Sequence, residues 1–198
     1  MRELRVVRTL DVADAVAEAS RLFRERAAAA GLIDVAYAAV DSPIGELLVA
    51  ATKRGLVRVS FPTEAPDDVV EELAALLSPR VLEAPARLDE IRRELDEYFD
   101  GSRTHFEVPV DMALTRGFTR KVLQATARIP FGSVSTYRDV ARKAGNERAY
   151  RAAGNALGAN PIPIVVPCHR VLHSGGGLGG YGGGLDVKRY LLQLEHAI

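Results

Sequence analysis

This 198-residue chain has a single cysteine, Cys168, which excludes an internal disulfide and a multi-cysteine zinc finger. It also lacks any run approaching the roughly 20 apolar residues that span a bilayer. Its first residues, Met1-Arg2-Glu3-Leu4-Arg5, carry charges of both signs where a signal peptide has its apolar block. A cytoplasmic location with no membrane partner is therefore expected. Net charge is missing too, since 26 Lys and Arg balance 26 Asp and Glu. That zero conceals a division. Residues 1–114 hold 14 bases and 22 acids, a balance of −8, whereas residues 115–198 hold 12 and 4, a balance of +8. Between 115 and 151 stand nine bases, among them Arg120, Arg138, Arg142 and Arg151, against Asp139 and Glu147 alone. Such asymmetry points to a segment that binds a polyanion, with a solvated basic helix face as the plainer alternative.

What is present is ordinary for a globular chain: 47% hydrophobic and 26% charged residues, enough for a real core in one large domain or two small ones. Residues 11–30 place apolar side chains at helical spacing and end at Gly31. Residues 33–40, 46–51 and 56–61 alternate or run with β-branched residues between turn clusters, the pattern of an antiparallel meander. Helices are predicted over 66–77 and 86–99, then a short strand near 104–110. From Thr115 the texture changes. A helix over 115–128, capped by Thr115, stops at Ile129-Pro130-Phe131-Gly132. Ser135 and Thr136 cap a short helix to about Ala144, and a second follows over 147–158. Two short basic helices around a turn containing Gly145 make a helix-turn-helix pattern. The segment Pro161–Val166 reads as extended and buried, and delivers the chain to Cys168. A glycine-rich loop, 175–184, precedes a last helix over 185–196. No internal repeat is visible.

A lone cysteine is most often a small buried hydrophobe. Here Pro167-Cys168-His169-Arg170 places the thiol beside an imidazole and a guanidinium, the surroundings that activate a thiolate nucleophile. Neighbouring side chains in an extended segment point apart, so His169 is expected to reach the thiol only through a water. A third group should orient that histidine, and Glu195 is the candidate, although a glutamate on a terminal helix is usually a surface residue. The run Gly177-Leu178-Gly179-Gly180-Tyr181-Gly182 matches a dinucleotide fingerprint, but too little chain follows for a βαβ unit. Cys168, His169 and His173 lack a convincing fourth metal ligand. No cofactor or metal is expected.

The stretch from Phe118 to Glu195, about 40% of the chain, resembles the O6-alkylguanine-DNA alkyltransferases, also called methylated-DNA–protein-cysteine methyltransferases. The matching pieces are IPFGSVSTYRDVARKAG, RAAGNALGANPIPIVVPCHRV and GGYGGGLDVKRYLLQLE with their spacings; SPIGELLVAATKRGLVRVSF is similar to that family's N-terminal domain. The resemblance implies an α+β chain: an N-terminal antiparallel-sheet, ribonuclease H-like α/β domain over 33–112 and a mostly helical, winged helix-turn-helix-like domain over 113–198. Residues 1–32, read as a helical extension, have no counterpart.

Carried over by position, the resemblance implies a suicide transfer of an alkyl group from O6-alkylguanine, and from O4-alkylthymine, in double-stranded DNA to Cys168. His169 accepts the thiol proton through a water and is oriented by Glu195. Tyr137 donates to a guanine ring nitrogen, and Asn160 braces the turn before the active-site segment. Arg151 fills the space of the flipped base, with Thr136, Arg138 and Ala152 also at the minor groove. Carbonyls of Cys168 and Val171 accept from the guanine amino group, while Pro163, Tyr181 and Gly182 line the substrate pocket. A monomer is expected, nucleoid-associated when bound. Gly182 stands where some relatives have serine, Leu123 where tryptophan is common, and the zinc site of some eukaryotic relatives cannot form. Non-catalytic cousins replace the cysteine; Cys168 sides with the active members. A damage sensor without chemistry and a cysteine hydrolase are the competing readings.

Overall fold

The computed structural model describes residues 12–198, so the first eleven residues of the predicted N-terminal extension lie outside the described part. Helix α1 (Val12–Ala29) buries Ala27 with Ile33 and Ala36, while Val12, Val16 and Phe23 stay exposed. Strands β1 (Val35–Val40), β2 (Leu47–Thr52) and β3 (Gly55–Ser60) form the predicted antiparallel meander, with Ala38 opposite Val49 and Val49 opposite Val59. After helix α2 (Pro66–Leu76), a fourth strand, β4 (Val81–Glu83), joins the free edge of β1 in parallel, making the sheet mixed with order β3-β2-β1-β4. A three-residue strand in the short stretch between Pro79 and Pro85 is too brief to show a period, which is why the sequence pattern does not mark it.

Helix α3 (Asp89–Phe99) turns Ile91, Glu94, Leu95 and Tyr98 into the core on one stripe. Its buried Glu94 explains a second departure. The segment expected as a strand near 104–110 forms a single parallel bridge, Leu56 to Val110, because the amides of Glu107 and Val108 donate to the Glu94 carboxylate instead, at 2.9 and 3.3 Å. Asp111 then ties the halves together: its carboxylate accepts from Thr52 Oγ1 at 2.6 Å, from Arg54 Nε at 3.1 Å and from the Ala113 amide at 3.1 Å.

Four helices follow: α4 (Gly117–Thr126), α5 (Tyr137–Lys143), α6 (Tyr150–Gly158) and α7 (Leu185–Leu194). Thr115 does not cap α4. Arg116 holds the cap position without a side-chain bond, and the Thr115 hydroxyl donates to the Met112 carbonyl. Thr136 does cap α5, accepting from the Asp139 amide at 3.1 Å. Residues 147–149, predicted as the start of the next helix, form a separate 3-10 turn before α6. Two short parallel strands, β5 (Ser135–Thr136) and β6 (Val171–Leu172), close the unit. One apolar cluster runs through both halves, from Val59, Leu95 and Tyr98 to Leu123, Ile162 and Leu191. No helix among the described residues is long and apolar enough to cross a membrane.

Gly55 sits where β3 meets the incoming chain, with φ of 135°, and an added Cβ would lie 2.1 Å from the Pro109 carbonyl oxygen. That oxygen accepts from the Leu56 amide at 2.8 Å. Gly55→Ala is expected to cost more than about 1 kcal/mol, since alanine is both strained and obstructed there. A urea midpoint equal to that of the parent would contradict this docking.

Candidate active site

The predicted extended approach to Cys168 is a buried turn. Ile164 has φ of 73°, and the Val165 amide donates to the Pro163 carbonyl at 2.9 Å, a γ-turn of the rare, strained hand. A β-branched residue in that region costs on the order of 1–3 kcal/mol, here offset by complete burial of its side chain. Three residues on, Pro167 (φ −80°, ψ 65°) centres the common inverse γ-turn, with the Cys168 amide on the Val166 carbonyl at 2.8 Å. Residues Cys168–Arg170 then wind into one 3-10 turn rather than continuing a strand.

Asn160 holds this turn from inside. Its Nδ2 donates to the Val166 carbonyl at 2.8 Å and to Cys168 Sγ at 3.2 Å, and its Oδ1 accepts from the Ile162 amide at 3.1 Å. Cys168 is 7% exposed. Burial pushes its thiol up from the ordinary value, against the opposing pull of the Asn160 bond and the Lys188 charge. At rest the sulfur is a protonated thiol that needs a base.

A buried imidazole–carboxylate pair follows it in the chain. His169 and Glu195 are 0% and 1% exposed, and His169 Nε2 lies 2.8 Å from Glu195 Oε1. The carboxylate also receives Tyr98 Oη at 2.6 Å, Arg170 Nε at 2.7 Å and Arg170 Nη2 at 2.9 Å. Burial alone would raise the Glu195 carboxyl, but bonds from His169, Arg170 and Tyr98 outweigh it and hold it at about 2. An ionised carboxylate only accepts, so Nε2 carries the proton and Nδ1 is the basic nitrogen. Burial lowers the imidazole as well, keeping it neutral. Nδ1 is buried with no protein partner, so the imidazole ring itself makes no hydrogen bond to Cys168; of His169, only the backbone amide favours the thiolate. The strand geometry expected here is replaced by the 3-10 turn.

Cys168 closes the bottom of a cavity of about 650 Å³ lined also by Tyr137, Arg138, Arg151, Tyr181 and Gly182. Tyr150 stands at this cavity with the Arg138 and Arg151 guanidinium groups 5.8 and 5.7 Å from its ring centre. Gly179, with φ of 70°, packs on Tyr137; a Cβ there would sit 2.3 Å from the phenol oxygen. Tyr181 leans its ring edge on Phe61 at 5.5 Å, and its buried hydroxyl has no protein partner. Among the other predicted positions, Ala152 is exposed on α6, outside the cavity lining, and the Thr136 hydroxyl is engaged in capping and with Asp139 at 2.7 Å. Pro163 lines a second cavity. The Val171 carbonyl already accepts from Lys188 at 2.7 Å and the Cys168 carbonyl from the Val171 amide, each keeping a second lone pair.

Lys188 and Tyr98 are the residues that sequence reasoning missed. Lys188 is fully buried, its ammonium bonded to the Val171 and Leu178 carbonyls, and burial lowers it to about 8 while Cys168 opposes that fall. A signal existed: Lys188, Leu191, Leu192 and Glu195 recur at helical spacing, so the two charged residues share the stripe of the buried leucines.

Two family models match the chain: the ribonuclease-like domain of 6-O-methylguanine DNA methyltransferase over residues 35–112, and the DNA-binding domain of the same family over 117–197. The chain is 39% identical to the methylated-DNA–protein-cysteine methyltransferase of Methanosarcina acetivorans, across 80% of this chain and 97% of that one. It is 36% identical to the constitutive enzyme of that name from Bacillus subtilis, across 80% and 94%. The solved structure of Mycobacterium tuberculosis OGT in complex with DNA is similar with a TM-score of 0.70 at 35% identity, covering 82% of this chain and 93% of that one.

Glu195 ionises at about 2 when folded and near 4.5 when not, so its stabilisation is complete above the higher value and disappears as pH falls through the lower. Near neutrality Glu195→Gln is expected to cost about 3–5 kcal/mol, because Arg170 is left buried and unpaired. Thermal melts of both proteins should converge as pH drops toward 2; a gap constant with pH would contradict the assigned ionisation.

Proposed function

Because this chain belongs to the 6-O-methylguanine DNA methyltransferase family, we infer that it repairs DNA by moving an alkyl group irreversibly from O6-alkylguanine to its own Cys168, once per molecule. The observation that carries this reading is the buried thiol at the bottom of a base-sized cavity whose lining includes Arg138, Tyr150 and Arg151. Guanine O6 lies inside the duplex, so its substituent reaches a thiol only after the nucleotide is extruded. Extrusion costs a few kcal/mol, less for a poorly paired alkylated base. Exposed Arg151 on α6 takes the vacated place in the stack and opposes return.

The steps then follow from the residues. Through a water, His169 Nδ1 takes the Cys168 proton, while Glu195 holds the opposite nitrogen and stabilises the resulting imidazolium. Asn160 and the Lys188 charge favour the thiolate. Sulfur attacks the alkyl carbon in line; the S–C bond forms, the C–O6 bond breaks, and its electron pair leaves on guanine. Tyr137 donates a hydrogen bond to a ring nitrogen as that charge grows. The Cys168 and Val171 carbonyls receive the guanine amino group on their free lone pairs, and Tyr181 and Gly182 cover the alkyl group. A thioether offers no leaving route, so the protein is spent. O4-alkylthymine is a second substrate.

α5 and α6 act as a helix-turn-helix, with Thr136, Arg138 and Ala152 beside Arg151 at the minor groove, where degenerate readout suits a protein that must act in any sequence. The basic 115–151 stretch adds phosphate contacts and salt-sensitive affinity. The domains are taken as 33–112 and 113–198, with 1–32 as an extension; the four-stranded sheet lies wholly in the first of them and helices α4 to α7 in the second. The protein works as a cytoplasmic monomer.

Mixing the protein with a duplex oligonucleotide bearing O6-methylguanine should add one methyl group to Cys168, in proportion and without turnover. Intact-mass spectrometry and a peptide map read this directly, and an unmodified Cys168 sinks the reading. Arg151→Ala should slow repair of the duplex by about tenfold or more while sparing reaction with the free modified base, because it acts on extrusion and not on sulfur. Equal losses on both substrates would contradict that role.

A further inference from the structure

Tyr150 opens α6 and Arg151 follows it, so an aromatic ring precedes the arginine that enters the duplex. Adjacent residues on a helix do not ordinarily face each other. Here the Arg151 guanidinium nevertheless turns back to the Tyr150 ring, 5.7 Å from its centre, and Arg138 reaches the same ring from α5 at 5.8 Å. All three side chains line the cavity that Cys168 lines. Tyr150 is 39% exposed, so the ring is not there to fill the core. Among the described residues neither guanidinium has an ion pair or a side-chain hydrogen bond, and the ring is their shared partner. Arg142, one turn further along α5 than Arg138, is by contrast paired with Asp139 at 2.8 Å.

A neutral ring and a carboxylate hold an arginine differently. A carboxylate at this cavity would cancel charge that draws phosphate, and its charge-assisted bond would have to break before the arginine could leave. A ring attracts the cation through its quadrupole, fixes where the guanidinium lies and cancels none of its charge. An arginine left free would instead have to be ordered from many rotamers at the moment of binding. Resting on the alkyl-transfer reading above, we propose that Tyr150 is a positioning residue for base extrusion: its ring holds Arg151 beside the base-sized cavity before DNA arrives, with Arg138 as a second cation on the same ring, and releases Arg151 into the stack as the nucleotide swings out. Two cations on one ring repel each other, and duplex phosphates relieve that repulsion, which favours release only when DNA is present. Tyr150 touches no reacting atom and acts through Arg151. The role uses the face of the ring and not its hydroxyl.

The test is single-turnover alkyl transfer measured on a duplex bearing O6-methylguanine and on the free modified base. The ratio of the two rates isolates extrusion, and because both are taken on one protein a loss of fold lowers them alike. Tyr150→Leu should lower that ratio about fivefold, the worth of one exposed cation–π contact. Tyr150→Phe keeps the ring face and should retain the parent ratio. In an Arg151→Ala background, Tyr150→Leu should change the ratio by less than about twofold, because the residue it positions is gone. A ratio unmoved by Tyr150→Leu, or a loss shared by Tyr150→Phe, overturns the proposal. So does a loss undiminished without Arg151, which would make the ring a direct contact to DNA. Failure of the parent to transfer the methyl group at all would instead overturn the alkyl-transfer reading.

Discussion

A carboxylate sealed from water must find its hydrogen bonds inside the protein, and Glu195 is such a group at 1% exposure. Desolvating an ion costs several kcal/mol unless partners replace the lost water. Here they come from three residues: Tyr98 on α3, and His169 and Arg170 on the turn after Pro167, all meeting at the end of α7. Because each is a donor, the carboxylate stays ionised, and because it stays ionised the imidazole tautomer is decided. The basic nitrogen is left turned away from the carboxylate. One electrostatic requirement thus joins the two halves of the molecule and fixes the imidazole tautomer.

The thiol is managed by the opposite means. Burial keeps it protonated, which protects a residue that can react only once. Two γ-turns hold it in place, and the strained one at Ile164 persists because its side chain is locked in the core. Lys188 serves two ends, fixing the Val171 and Leu178 carbonyls while placing a positive charge near sulfur. The glycine loop packs on Tyr137 through Gly179, where no side chain would fit.

Arg138 on α5 and Arg151 on α6 lie against the Tyr150 ring, and cation–π contact holds all three at the cavity that Cys168 lines. The acidic half contributes no such surface. It contributes Tyr98 to the carboxylate network and Phe61 against the Tyr181 ring, so its role at the site is to shape and support.

Read alone, the sequence determined the three-strand meander, most of the helices, the basic half and the reactive run at Cys168. These are local features, carried by residue spacing and by neighbours in the chain. Its errors were local rules overruled at a distance: β4 forms because β1 has a free edge, and the strand near 104–110 is lost because Glu94 takes its amides. His169, Glu195 and Asn160 were legible as candidates, yet the water-bridged reach of His169 was argued from strand geometry and the chain there is a 3-10 turn. Only the tertiary structure decided that Tyr98 completes the Glu195 network and that Lys188 is buried beside the site. The reason is separation along the chain: Tyr98 and Glu195 are 97 residues apart, and no local pattern records which distant donor a buried carboxylate will find.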